Sequence, residues 1–140
     1  MKKVLFVCIE NSCRSQMAKG FFNKLTSNES ADSAGLQPAD HVDPHAIKVM
    51  NEVGIDISHY EPKKLTLDMN DKFDFIVTMG CVDGCPLTLL EKTIEWNIED
   101  PKGKTIEKYR EVRDTIRNHV EKLIMGIKER THMEGNLRER

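Results

Sequence analysis

The sequence predicts a single α/β domain, a parallel sheet with helices on both faces, and three observations carry that prediction. Apolar runs without alternation, with β-branched residues among them, occur at residues 3–7 and 73–79, as strands buried on both faces require. After them come stretches whose apolar residues recur every three or four positions, the stripe of an amphipathic helix. A length of 140 residues has room for one core, and so for one active site.

The first strand, residues 3–7, ends at Cys8. Met17, Ala18, Phe21, Phe22 and Leu25 then mark a helix that begins near Arg14 or Ser15. Asp43 before Pro44 reads as an N-cap with proline at the first helical position, and Ala46, Ile47, Met50 and Val53 form the buried face of this helix up to Gly54. The run 73–79, broken by Asp74, is the next strand. It ends at Gly80 in a loop that holds Cys81 and Cys85, and Pro86 opens a short helix. Residues 94–98 make a further short strand. From Ile106 the apolar positions Tyr109, Val112, Ile116, Val120, Leu123 and Ile127 define the last helix. Residues 131–140 carry little apolar content and are expected to be a frayed or disordered tail, which leaves 1–130 as the domain. The charges at 68–74 read as a solvated loop. Trp96 and the methionines read as core, and the five histidines as surface or packing residues.

Lys+Arg 21 nearly balances Asp+Glu 23, and no basic run is interleaved with aromatics, so neither a nucleic acid nor an anionic membrane is an expected partner. The apolar run after Met1-Lys2-Lys3 stops at Cys8, too short for export or membrane insertion. The expected location is therefore cytoplasmic. In such a reducing compartment the cysteines at 8, 13, 81 and 85 are catalytic, redox-active or metal-bound rather than paired in structural disulfides.

The decisive segment is Cys8-Ile9-Glu10-Asn11-Ser12-Cys13-Arg14-Ser15, in which five residues separate a cysteine from an arginine between a strand and a helix. A loop wrapped around the point just before a helix N-terminus aims backbone N–H groups inward, and the helix dipole adds positive charge there. Arg14 can offer two parallel donors to two oxygens of a tetrahedral dianion. The same field favours the thiolate form of Cys8 as a nucleophile. Ser15 can donate to the Cys8 sulfur, and Asn11 can hold the loop in shape. Residues 9 to 15 are thus the candidate binding loop: Ile9, Glu10, Asn11, Ser12, Cys13, Arg14 and Ser15. The plainer reading makes Cys8 a small buried hydrophobe and Arg14 a surface charge, but the flanking strand and helix argue against it. Cys13 is expected to be a structural thiol.

These residues, with Gln16-Met17-Ala18 and Gly20, closely resemble the active-site loop of thioredoxin-coupled arsenate reductases, which share the fold of low-molecular-weight tyrosine phosphatases. Ser33-Ala34-Gly35, residues 54–58, Val77-Thr78-Met79-Gly80-Cys81 with Cys85-Pro86, Trp96, Asp100-Pro101 and Arg113-Asp114 extend the resemblance over most of the chain. It implies a four-stranded parallel sheet and reduction of arsenate to arsenite, with phosphate or sulfate as analogues. It also implies a chemical order. Cys8 attacks arsenic, Asp100 protonates the departing oxygen, Cys81 attacks Cys8 and expels arsenite, and Cys85 moves the disulfide to Cys81–Cys85 for reduction by thioredoxin. No tightly bound cofactor and no metal are implied, and a monomer is expected. The loop between residues 80 and 90 must rearrange during the relay, with Gly80 and Gly84 supplying the freedom.

Two departures stand out. Lys19 occupies a position where many such reductases carry a glutamate that helps bind potassium, which argues against a potassium site. Glu10 stands where glycine is common and places a carboxylate beside an anion loop.

Two other readings fit part of the pattern. A tyrosine phosphatase would use Cys8, Arg14 and Asp100 identically, but Lys102 stands where such phosphatases usually carry tyrosine, and Gln16 where they carry proline. A zinc module on Cys8, Cys13, Cys81 and Cys85 would need four thiolates at spacings that this arginine-bearing loop fits poorly.

Overall fold

The structure is a computed structural model that describes residues 1–80, 88 and 90–138. The loop with Cys81 and Cys85 and the helix expected at Pro86 lie outside the described residues. Four strands, β1 (Lys3–Cys8), β2 (Ser30–Gly35), β3 (Phe75–Met79) and β4 (Thr93–Trp96), form one parallel sheet in the order β2-β1-β3-β4. Val4 to Val7 are fully buried because β1 is central, with a strand on each side and side chains packed on both faces. The chain leaves β1 for one edge of the sheet and then crosses back to β3 on the other side. The C-terminal end of β1, where Cys8 stands, is therefore the switch point at which such sheets open a crevice.

Around the sheet run α1 (Arg14–Leu25), α2 (Pro44–Asn51), the single turn α3 (Met69–Lys72) and α4 (Ile106–Arg138). Asp43 caps α2 as expected: its Oδ1 accepts from the His45 N–H at 2.9 Å, with Pro44 at the start of the helix. The larger cluster packs Phe6 and Val77 against α1, α2 and α4, through Met17, Phe22, Met50 and Ile116 among others. Phe6 meets Phe22 at 6.0 Å between ring centroids and Trp96 at 5.7 Å. Each such buried side chain is worth roughly 1.5–3 kcal/mol against exposure. The opposite face is covered by Leu65 with Met69 and Phe73, over Leu5, Val7 and Ile76.

The sequence pattern misses β2. Ser-Ala-Asp-Ser-Ala-Gly has neither an apolar run nor β-branched residues, and this edge strand is held instead by its register, Lys3 to Ser30 through Cys8 to Gly35, against β1. It also misses α3, which lies in the expected solvated loop and buries Asn70. In α4, helical backbone continues through Arg138, past the expected end near residue 130. The added stretch contains no proline, and extending a formed helix is far easier than starting one. No helix among the described residues is long and apolar enough to cross a membrane.

One surface staple fixes α2 on α4. Glu52 accepts from Arg110 (Nη2, 2.8 Å) and from Arg113 (Nη1, 2.8 Å), and Arg113 also reaches the Val49 carbonyl at 3.0 Å. The Arg110 hydrogen bond, and then that of Arg113, hold the Glu52 carboxyl at about 2. A carboxylate held low contributes stability that is fully present above its unfolded value of about 4.3 and is lost as the pH falls through the folded value. The melting temperature of Glu52→Gln is therefore expected to lie below that of the parent above about pH 5. The gap should close between about pH 4.5 and 2, as thermal unfolding across that range would show.

Candidate active site

The loop from Cys8 to Arg14 is turned inside out by its hydrogen bonds. The carbonyls of Ile9, Glu10 and Ser12 accept the N–H groups of Gln37 (2.8 Å), Ala39 (2.9 Å) and Asp43 (2.8 Å), and the Asn11 carbonyl accepts Nε2 of Gln16 (2.9 Å). The Cys13 carbonyl accepts the Met17 N–H and opens α1. In a planar trans peptide the N–H points opposite the C=O. Every carbonyl fixed outward thus turns the next N–H inward, and residues 10 to 14 line a bowl with donors.

Asn11 makes this path possible. It sits at φ +52, in the left-handed region that asparagine tolerates. Gly35, at the end of β2, leaves it room: a Cβ there would come within 2.7 Å of the Ile9 carbonyl and 2.9 Å of Asn11. The Lys63 N–H donates to Asn11 Oδ1 at 2.9 Å, which orients the amide so that Nδ2 donates to Ser15 Oγ at 2.7 Å. That leaves the Ser15 hydroxyl proton for Cys8 Sγ, 2.9 Å away. Ser33 in turn donates to Gln16 Oε1 at 2.9 Å, so the buried network runs from the sulfur to the edge strand.

Arg14 is buried, with its Nη1 donating to the Ile98 carbonyl at 3.0 Å and its Nη2 lying 3.6 Å from Asp100 Oδ2. Asp100 is half exposed, and its Oδ1 accepts the Lys102 N–H at 3.0 Å. Cys8, Cys13, Arg14 and Asp100 line one cavity of about 110 Å³, together with Ile9, Glu10, Ser12 and Lys102. The structure therefore brings the expected loop and Asp100 together. Cys81 and Cys85 lie outside the described residues.

Cys13 is buried, and its thiol is pushed well above the ordinary range by burial and then by the Asp43, Cys8 and Asp100 charges, against the opposing pull of Arg14. It stays protonated, in keeping with a structural thiol. The Glu10 carboxylate is paired with Lys102, whose Nζ contacts its two oxygens at 2.7 and 2.8 Å. Lys19 places its ammonium 3.3 Å from Asp32 Oδ1 and 4.0 Å from the centroid of the Tyr60 ring. A cation is thus already supplied by the chain at that point, and these residues do not fit a potassium ion. Among the described residues no group of three or more His, Cys, Asp or Glu is placed to hold a metal.

Several contacts in the site had no sequence signal. Gly80, at φ +74, packs its backbone against Arg14, and a Cβ there would sit 2.0 Å from Nη1. Asp43, besides capping α2 and holding the Ser12 carbonyl, accepts the Tyr109 hydroxyl at 2.5 Å. Burial and then that bond raise the Tyr109 phenol, which keeps its proton. His45 stacks on the Tyr109 ring at 5.1 Å.

A Cys-x5-Arg cradle at the switch point of a parallel sheet defines the class of cysteine enzymes that handle tetrahedral oxyanions. The sequence pattern of the family described as low molecular weight phosphotyrosine protein phosphatase matches residues 3–84. The chain is 41% identical over 131 residues to the glutaredoxin arsenate reductase of Synechocystis, covering 91% of this chain and 99% of that one. It superposes with a TM-score of 0.81 on the structure of an arsenate reductase in the phosphate binding state, at 40% identity and with 91% and 99% of the two chains covered. A thioredoxin-dependent arsenate reductase of Corynebacterium glutamicum gives a TM-score of 0.77 at 32% identity, covering 91% of this chain and 62% of that one. The chain belongs to the low molecular weight phosphotyrosine protein phosphatase family, among its arsenate reductases.

Proposed function

We propose that the protein reduces arsenate to arsenite, with Cys8 as the nucleophile and residues 1–130 as the catalytic unit. The observation that carries this reading is Cys8 Sγ at the floor of an amide-lined bowl, with the Ser15 hydroxyl 2.9 Å away and a buried arginine at its rim. The inward N–H groups and Arg14 bind three oxygens of the dianion and hold arsenic over the sulfur. The thiolate attacks arsenic, a sulfur–arsenic bond forms, and the displaced oxygen leaves as water on a proton from Asp100. Cys81 then attacks Cys8 Sγ. A sulfur–sulfur bond forms as the sulfur–arsenic bond breaks, and the electron pair stays on arsenic, which departs as arsenite. Cys85 attacks Cys81, and the resulting Cys81–Cys85 disulfide frees Cys8 and takes two electrons from a dithiol protein.

The two extra cysteines favour this reading over hydrolysis, since a phosphatase needs a nucleophile and an acid but no electrons. They also favour thioredoxin as the donor, because an internal disulfide is a substrate for dithiol exchange. The Synechocystis relative bears glutaredoxin in its name, so the donor needs a direct comparison. The test is arsenate-dependent NADPH oxidation, run once with thioredoxin and its reductase and once with glutathione and glutaredoxin. Turnover with the first system alone is expected. Turnover with the second alone would reassign the donor, and no turnover with either, beside intact hydrolysis of an aryl phosphate, would replace the reductase reading with the phosphatase.

A further inference from the structure

We infer that the Glu10–Lys102 ion pair is a specificity determinant that stands between the oxyanion cavity and a neighbouring groove and biases the site toward free inorganic oxyanions over their aryl esters. The inference rests on the oxyanion reading of the Cys8 loop. Two cavities meet at this point. The smaller, about 110 Å³, holds Cys8, Arg14 and Asp100. The larger, about 650 Å³, runs past Val42, Pro44, His45 and Tyr109. Glu10, Ser12 and Lys102 line both, so this ion pair stands on the boundary between them.

The pair joins two separate loops across that boundary. Glu10 comes from the anion loop after β1, where the Ala39 N–H fixes its carbonyl at 2.9 Å. Lys102 follows β4, where its own N–H is fixed on Asp100 Oδ1 at 3.0 Å. Both stems are held, so only the two side chains need to part for the cavities to merge. The small cavity suits an anion whose four substituents are single oxygens. An aryl ester carries a ring on one of those oxygens, and among the described residues the groove, with the Tyr109 and His45 rings and Val42, is the adjoining surface that would receive it. While Lys102 bridges both oxygens of Glu10, that route is narrowed. The pair has a second effect: it cancels the carboxylate charge beside the anion bowl.

A surface pair is a modest barrier, and Lys102 is 60% exposed. Breaking the pair is therefore expected to change selectivity about fivefold rather than by orders of magnitude. The quantity to measure is the ratio of kcat/KM for 4-nitrophenyl phosphate to the association constant of inorganic phosphate as a competitive inhibitor. An unpaired Glu10 repels both dianions alike and cancels in this ratio. Lys102→Ala should raise the ratio about fivefold, whereas Lys102→Arg, which keeps the pair, should leave it at the parental value. Sodium chloride at about 1 M, with a screening length near 3 Å, should raise the parental ratio and leave that of Lys102→Ala unmoved. An unchanged ratio in Lys102→Ala, or an arginine variant that shifts as far as the alanine one, would overturn the inference. A parent that inorganic phosphate does not inhibit, or aryl phosphate hydrolysis that survives Cys8→Ser, would remove the oxyanion reading beneath it.

Discussion

Replacing Gly80 by alanine is expected to lower kcat/KM for arsenate about a hundredfold while the protein remains folded. The residue is at φ +74, where a side chain is strained, and its Cβ would land 2.0 Å from Nη1 of Arg14. Arg14 has no room to retreat, because it is buried and tied to the Ile98 carbonyl at 3.0 Å. Something must move by about an ångström, and the fork that grips the oxyanion is what stands in the way. Displacements of that size cost about two orders of magnitude when a catalytic geometry depends on them. Steady-state kinetics beside a thermal melt would measure it. Activity within about threefold of the parent would mean that the guanidinium does not set the grip.

The second large effect separates reduction from hydrolysis. Cys81→Ser is expected to abolish multiple turnover of arsenate and to leave at most one arsenic bound through Cys8 per chain, visible in the intact mass of protein quenched after mixing. Without the Cys81 thiol, nothing within the chain attacks Cys8 Sγ in the proposed order, so the electron pair cannot pass to arsenic. Hydrolysis of an aryl phosphate needs no such transfer and should persist. Continued arsenate turnover in this variant would break the relay.

What the sequence made legible follows from how each feature is encoded. β1 carries its own apolar run and α1, α2 and α4 their own periodicity, and all four appear near their expected positions. The strand expected at 73–79 begins at Phe75, because Phe73 ends the turn α3. β2 was invisible by pattern because its six residues hold no bulky apolar side chain, and only the resemblance to a four-stranded family supplied it. The anion loop was legible because its chemistry is local: a nucleophile and an arginine within one turn of chain. Gly80 against Arg14, Tyr109 on Asp43 and Lys102 on Glu10 were not, since each joins residues 66 to 92 positions apart through the fold alone. Glu10 illustrates the limit. From sequence it was a misplaced charge beside an anion site, and its neutralising partner could be found only in space.

The chain of contacts from Ser33 through Gln16 to the Asn11 carbonyl gives the periphery a say in the chemistry. An outer strand of small and polar residues is the part of a sheet that opens first on warming. When it peels away here, Gln16 loses its anchor and the shape of the bowl goes slack, although the aromatic centre around Phe6 is still intact. Heat should therefore silence the enzyme before it melts it, with catalytic inactivation running several degrees ahead of the cooperative loss of helical signal.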